Sequence, residues 1–280
     1  MTYPYPAPAP NHGQPSPPKN SGAYRSSQEI ARVYEILGEL GRGGMGAVYK
    51  AKHRQTGTLH AIKTIIPNAA ADPDSISRFQ REALITCKLN HPAIVNVQSL
   101  EKTTDGKFFL IQDMVNGSTL KDIIKEKVKY GLDENDRDEL FDILIRVAEA
   151  LDYAHKQGVL HRDIKPENIM YDETKDQVYI MDFGLAKAVQ TATGEKPLLS
   201  QDGQSLTMQG DILGTPAFMS PEQFNDSKSA DYRADIFALG AILSQIVYGR
   251  LHVNSKDYIG IYNELLTKKD KLTDKIKSFF

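Results

Sequence analysis

One stretch of this chain constrains it more than any other. Residues 161–168 read His161-Arg162-Asp163-Ile164-Lys165-Pro166-Glu167-Asn168, and Asp182-Phe183-Gly184 follows after a short strand-like run. The order places an acid, a lysine and an amide on one short loop, with a second acid just downstream. Any one of these acids alone reads equally well as a turn or cap residue. Together they form a set that can orient a hydroxyl, take its proton, put positive charge beside a phosphate and offer oxygen atoms to Mg2+. Those are the requirements of phosphoryl transfer to a hydroxyl.

The rest of the chain can support such a site. Its 280 residues suffice for one large domain or two small ones, and 40% are apolar, enough for a sizeable core. The formal net charge of −2 gives no support for a nucleic-acid partner or an anionic membrane surface. A lone cysteine, Cys87, rules out an intrachain disulfide and a thiolate metal cluster, which suits a reducing, cytoplasmic compartment. No run of about 18 apolar residues occurs, and the N-terminus lacks the pattern of a signal peptide. A membrane tether beyond residue 280, or export into a host cell, is compatible with this composition.

Residues 1–32 are rich in Pro, Ser, Gly and Asn and read as a solvated, disordered tail. Pro4, Pro6, Pro8 and Pro10 alternate; the tract suits a plain linker and also a polyproline ligand. From Tyr34 the pattern changes. Strand-like runs occupy Tyr34–Leu40, Ala47–Ala51, Leu59–Lys63, Ile94–Leu100 and Phe108–Gln112. Asp72-Pro73-Asp74 supplies an N-cap, a first-turn proline and an acid for a helix running to about Leu89. After Gly117 the helical period takes over: Leu140, Leu144, Val147, Leu151 and Ala154 share one face, and Gly158 marks that helix's end. The nearly all-apolar run Asp235–Val247 fits a buried central helix.

Gly41-Arg42-Gly43-Gly44-Met45-Gly46 contains G-x-G-x-x-G between two strand candidates. Glycines there would let backbone amides approach phosphate oxygens, but a hairpin turn explains the pattern as well. A dinucleotide-binding fold would want a helix directly afterwards, and Ala47-Val48-Tyr49 is strand-like. Lys63, in Ala61-Ile62-Lys63, would alone be an edge-strand lysine, and Glu82 a solvated helix acid.

Taken together, the loop, the Asp-Phe-Gly triplet, the glycine run and Gly214-Thr215-Pro216-Ala217-Phe218-Met219-Ser220-Pro221-Glu222 resemble eukaryotic-type (Hanks-type) serine/threonine protein kinases. The wording Gly-Gly-Met-Gly and Ser-Pro-Glu-Gln is most similar to bacterial members. The resemblance implies an α+β, bilobal protein-kinase fold. A small antiparallel β lobe with one helix would span residues 33–115. A mainly helical lobe, truncated at its C-terminus, would span 116–280.

The same resemblance implies roles. Asp163 would orient the acceptor hydroxyl and accept its proton, Lys165 would offset γ-phosphate charge, and Asn168 and Asp182 would ligate Mg2+, with Mn2+ as a substitute. His161 would organise the loop and pack on Phe183. Lys63, paired with Glu82, would hold the α- and β-phosphates of ATP. Leu40, Gly41, Gly43, Gly46, Val48, Ala61 and Met170 would surround the nucleotide. Asp113 and Val115 would meet the adenine edge through backbone groups, with Gln112 at the gatekeeper position. Asp235 would brace the catalytic loop.

Thr215 marks serine/threonine rather than tyrosine specificity. Phosphate on Thr207 would pair with Arg162 and Lys187 and order the activation segment. A pseudokinase-like nucleotide-binding scaffold and a small-molecule kinase are the competing readings; the intact Lys63, Asp163, Asn168 and Asp182 disfavour the first, and Gly214–Glu222 the second. The implied partners are protein substrates with Ser or Thr acceptors, the chain itself in autophosphorylation, and a second copy through the small lobe. The family's arginine partner for Glu222 has no counterpart, because no arginine follows Arg250.

Overall fold

The computed structural model describes residues 27–43, 46–65, 73–104, 106–183, 216–225, 230–249 and 251. It opens on helix α1 (Ser27–Val33), which runs into strand β1 (Tyr34–Gly43). Strands β2 (Gly46–His53), β3 (Leu59–Ile65), β4 (Val97–Lys102) and β5 (Phe108–Asp113) complete an antiparallel sheet in the order β1-β2-β3-β5-β4. Helix α2 (Pro73–Thr86) lies between β3 and β4 in the chain.

Two small cores hold the sheet. On one, Phe79 and Ala83 of α2 pack against Ile65, Val97, Phe108 and Leu110, with the Phe79 and Phe108 rings edge-on at 5.0 Å. The other gathers Ile30, Tyr34, Ala51, Ile62 and Ile111. Ile30 is only 4% exposed. The solvated-tail reading therefore does not hold for residues 27–32: a short helix buries Ile30 and leans Val33 against the sheet, and Arg54 Nε donates to the Ala31 carbonyl at 3.2 Å. The proline-rich tract lies outside the described residues.

The strand expected from Ile94 begins instead at Val97; Ile94 forms an isolated parallel bridge with Ile180. That bridge, with Val95 donating to the Ile180 carbonyl and Ile180 donating to the Ala93 carbonyl, links the segment entering β4 to the second sheet. The second sheet is small: β6 (Ser118–Thr119), β7 (Ile169–Asp172) and β8 (Gln177–Ile180), in that order and antiparallel.

Helices α3 (Leu120–Tyr130) and α4 (Glu134–Lys156) start on side-chain caps. Thr119 accepts from the Asp122 amide, and Asp133 and Asp136 form a reciprocal capping box. The periodic face read from the sequence is the buried one: Leu140, Leu144, Val147, Leu151 and Ala154 lie in the largest core with Ile164, Ile169, Val178 and Ile180. After the short helix α5 (Pro221–Asn225), helix α6 (Tyr232–Tyr248) contributes Ala238, Ala241, Ile242 and Ile246 to that core. Asp231 caps its start, and Gly249, at φ 64°, ends it in the left-handed conformation that glycine adopts without a Cβ clash.

Candidate active site

The glycine-rich stretch is built as strand. β1 continues through Gly41 and Gly43, and β2 begins at Gly46. Gly46 has φ 142°, and a Cβ placed there would sit 1.9 Å from the Thr64 carbonyl oxygen. No L side chain fits. Thr64 holds this approach from its other end: its hydroxyl donates to the Ala47 carbonyl and accepts from the Ala47 amide, both at 3.0 Å. Regular pairing of β2 with β3 ends at Val48–Lys63, so the Thr64 side chain extends the contact beyond the ladder.

Lys63 points to the second sheet's end. Its ammonium lies 2.9 Å from Oδ1 of Asp182. Desolvation works to raise the Asp182 carboxyl, but the charge and hydrogen bond of Lys63, with smaller help from Lys165, outweigh it and hold the group below the usual carboxylate range. Asp182 itself has φ 55°, a sparsely populated conformation for a non-glycine residue. Glu82 lies within α2, but its side chain is outside the described residues, so the expected pairing with Lys63 is too.

The loop residues converge. Lys165 Nζ is 2.7 Å from Asp163 Oδ2, and Asn168 Nδ2 donates to the Asp163 carbonyl at 2.7 Å and to Oδ2 at 3.0 Å. Because the Asn168 nitrogen is engaged with Asp163, its amide oxygen is the atom left to accept a cation. The short 3-10 turn Pro166–Asn168 sets this geometry, and Asn168 is 7% exposed. The Asp163 amide donates to His161 Nδ1 at 3.2 Å. That makes Nδ1 an acceptor, so His161 Nε2 carries the hydrogen and donates to the Met181 carbonyl at 2.9 Å. Its ring meets Phe183 edge-on at 4.8 Å. The packing expected of His161 and Phe183 is thus present, and it ties the loop to the residue before Asp182.

Beneath the loop, the Asp235 side chain is 1% exposed and accepts three hydrogen bonds: from the His161 amide (2.9 Å), the Arg162 amide (2.7 Å) and His155 Nε2 (2.8 Å). Burial pushes its carboxyl up, but these partners outweigh that and leave it lowered. Arg162 takes φ 66°. The expected brace is therefore present, and α4 adds to it through His155, which no sequence motif marks.

Around the cleft, Ala61 and Gln112 are buried register partners on β3 and β5, while Leu40 is half exposed on β1. Val48 lies on β2 and Met170 on β7. The Asp113 carboxylate accepts from Asn96 and Gln98 of the β4 side, which fixes the chain just before Val115. The described residues contain no group of three or more His, Cys, Asp or Glu able to hold a metal ion. Asn168 and Asp182 offer an amide oxygen and a carboxylate, donor types that suit a divalent ion. Gly214, Thr215, Lys187 and Thr207 lie outside the described residues.

Comparison with known proteins places this geometry. A family model described as the protein kinase domain matches residues 34–278. The chain is 34% identical over 243 residues to serine/threonine-protein kinase pkn3 of Myxococcus xanthus, covering 86% of this chain and 42% of that protein. It is 33% identical over 225 residues to serine/threonine-protein kinase PknB of Mycolicibacterium smegmatis, covering 79% of this chain and 33% of that one. The chain thus spans less than half the length of these curated relatives. The crystal structure of the Mycobacterium tuberculosis PknI kinase domain is similar in fold, with a TM-score of 0.60 and 28% identity over 79% of this chain and 77% of that one. The chain belongs to the protein kinase domain family, similar to its bacterial serine/threonine members.

Proposed function

We propose that this chain transfers the γ-phosphoryl group of ATP to serine or threonine hydroxyls of proteins, itself among them. The observation that carries the reading is the convergence of the Lys165 and Asn168 side chains on Asp163, each within 3.0 Å, together with the Lys63–Asp182 pair.

In this reading the Asp163 carboxylate accepts a hydrogen bond from the acceptor hydroxyl and takes its proton as the oxygen attacks phosphorus. The bond from phosphorus to the ADP oxygen breaks as the bond to the acceptor oxygen forms. Lys165, held beside Asp163, presents its cation to the transferring phosphoryl oxygens. Lys63 holds the α- and β-phosphates against the sheet, and Gly46, with no Cβ, keeps the glycine-rich strands close enough for backbone amides to cover them. Asn168 and Asp182 would hold Mg2+, which would supply charge neutralisation of the phosphates. Residues from Leu40 to Ala61 on one side and Met170 on the other enclose the adenine, whose edge meets the backbone at Asp113 and Val115. Autophosphorylation of the activation segment at Thr207, read by Arg162 and Lys187, is the proposed activating event. No helix among the described residues is long and apolar enough to cross a membrane.

The test is incubation with Mg·ATP and phosphosite mapping by mass spectrometry, beside Asp163→Asn. Phosphoserine or phosphothreonine in the parent, reduced at least about a hundredfold in the variant, is the expected result. ATP binding without any phosphate transfer in the parent would favour a nucleotide-binding scaffold instead. Phosphorylation of small alcohols but no peptide would point to a small-molecule kinase.

A further inference from the structure

Arg162 is gripped through the peptide groups on both sides of it. On one, the Arg162 amide donates to Asp235 Oδ1 at 2.7 Å. On the other, the Arg162 carbonyl accepts from Gln223 Nε2 at 2.9 Å. The same Gln223 side chain turns its oxygen toward Ser220, accepting from the Ser220 amide and from the Ser220 hydroxyl, both at 3.0 Å. The amide orientation is forced, because a backbone N–H can only donate and a carbonyl can only accept. Ser220 is fully buried, so its amide and hydroxyl depend on Gln223 rather than on bulk water.

We infer that Gln223 is a positioning residue for the catalytic loop, joining the segment that ends at Ser220 to the peptide bond that aims Asp163. Two observations make this more than local packing. Arg162 sits at φ 66°, a strained conformation for a non-glycine residue that persists only where the surroundings over-determine it. Asp235 fixes the N–H side of Arg162; Gln223 fixes the carbonyl side, which carries the orientation of the next residue, Asp163. Gln223 anchors this stretch through both functions of its amide, and a side chain one function short, such as Glu or Leu, cannot make both contacts.

The kinetic consequence rests on the phosphotransfer reading; the backbone consequence does not. Amide hydrogen exchange of the 280-residue chain, followed by mass spectrometry, would be compared for the parent, Gln223→Glu and Gln223→Leu. Peptides spanning 160–165 should exchange about tenfold faster in both variants while residues 34–65 stay unchanged. Turnover of Mg·ATP against a degenerate Ser/Thr peptide mixture should lose about tenfold in kcat, with KM for ATP within about twofold of the parent. Unchanged exchange at 160–165 in both variants overturns the clamp, as does protection lost evenly over the β sheet. Faster exchange with an unchanged kcat overturns the positioning role. A parent without turnover overturns the phosphotransfer reading and leaves the exchange result to decide the clamp.

Discussion

Lys63 Nζ and Asp182 Oδ1 lie 2.9 Å apart, joining the third strand of the large sheet to the residue that follows the second sheet. The pair spans the two parts of the molecule at the cleft. Lys63→Met should reduce phosphotransfer by at least about a hundredfold, because the phosphates lose their fixed cation. It should also change acid stability. Asp182 is held below its ordinary value in the folded chain, so its contribution is present above the unfolded carboxylate pKa of about 4 and is lost as pH falls through the depressed folded value. Thermal unfolding at pH 7 should show the variant less stable by roughly 1 kcal/mol, a difference that closes as pH falls through the depressed folded value.

Asp235→Ala should be among the most destabilising single changes in the chain. It strips the acceptor from the His161 and Arg162 amides and from His155, all in a buried setting. Loss of about 3 kcal/mol in urea unfolding is expected. Since the Asp235 carboxyl is also lowered, the parent keeps this contribution above about pH 4 and loses it as pH falls through the folded value, where the two proteins should converge.

Gly46→Ala meets the Thr64 carbonyl oxygen at 1.9 Å from its new Cβ and also strains φ 142°. The strand ends must part. KM for ATP should rise about tenfold or more, with unfolding stability lowered by about 1–3 kcal/mol. Thr64→Val, which keeps the shape and removes the hydroxyl bonded to Ala47, should raise KM by a smaller factor, about threefold.

Ile30→Ala tests the N-terminal helix. A solvated tail would tolerate it within about 0.5 kcal/mol. Burial of Ile30 against Tyr34, Ala51, Ile62 and Ile111 predicts a loss of about 2–3 kcal/mol in chemical denaturation.

Much of the molecule could be read from local pattern, for reasons visible in particular residues. The α4 face from Leu140 to Ala154 was legible because a helix that buries one side must repeat its apolar residues every three or four positions. Strands β1 to β3 and β5 were legible from short β-favouring runs. Ile94 was misread because an apolar run cannot say whether it pairs within its own sheet or bridges to another. Helix α1 was missed because Ile30, Ala31 and Val33 follow a polar stretch, and only neighbours in space make Ile30 core.

The sequence by itself determined the chemistry available: the acid, lysine and amide of residues 161–168, the acid at Asp182, the cation at Lys63 and the glycines before Ala47. Those are residue types at short spacing, set by covalent order. Tertiary structure alone decided which groups touch. It brought Asp235 and His155 beneath the loop, set Thr64 against Ala47, and gave Gln223 a bond to the Arg162 carbonyl from 61 residues away in the chain. Hydrogen bonds reach only about 3 Å, so partners distant in sequence are chosen by how helices and sheets pack, and no local pattern records that choice.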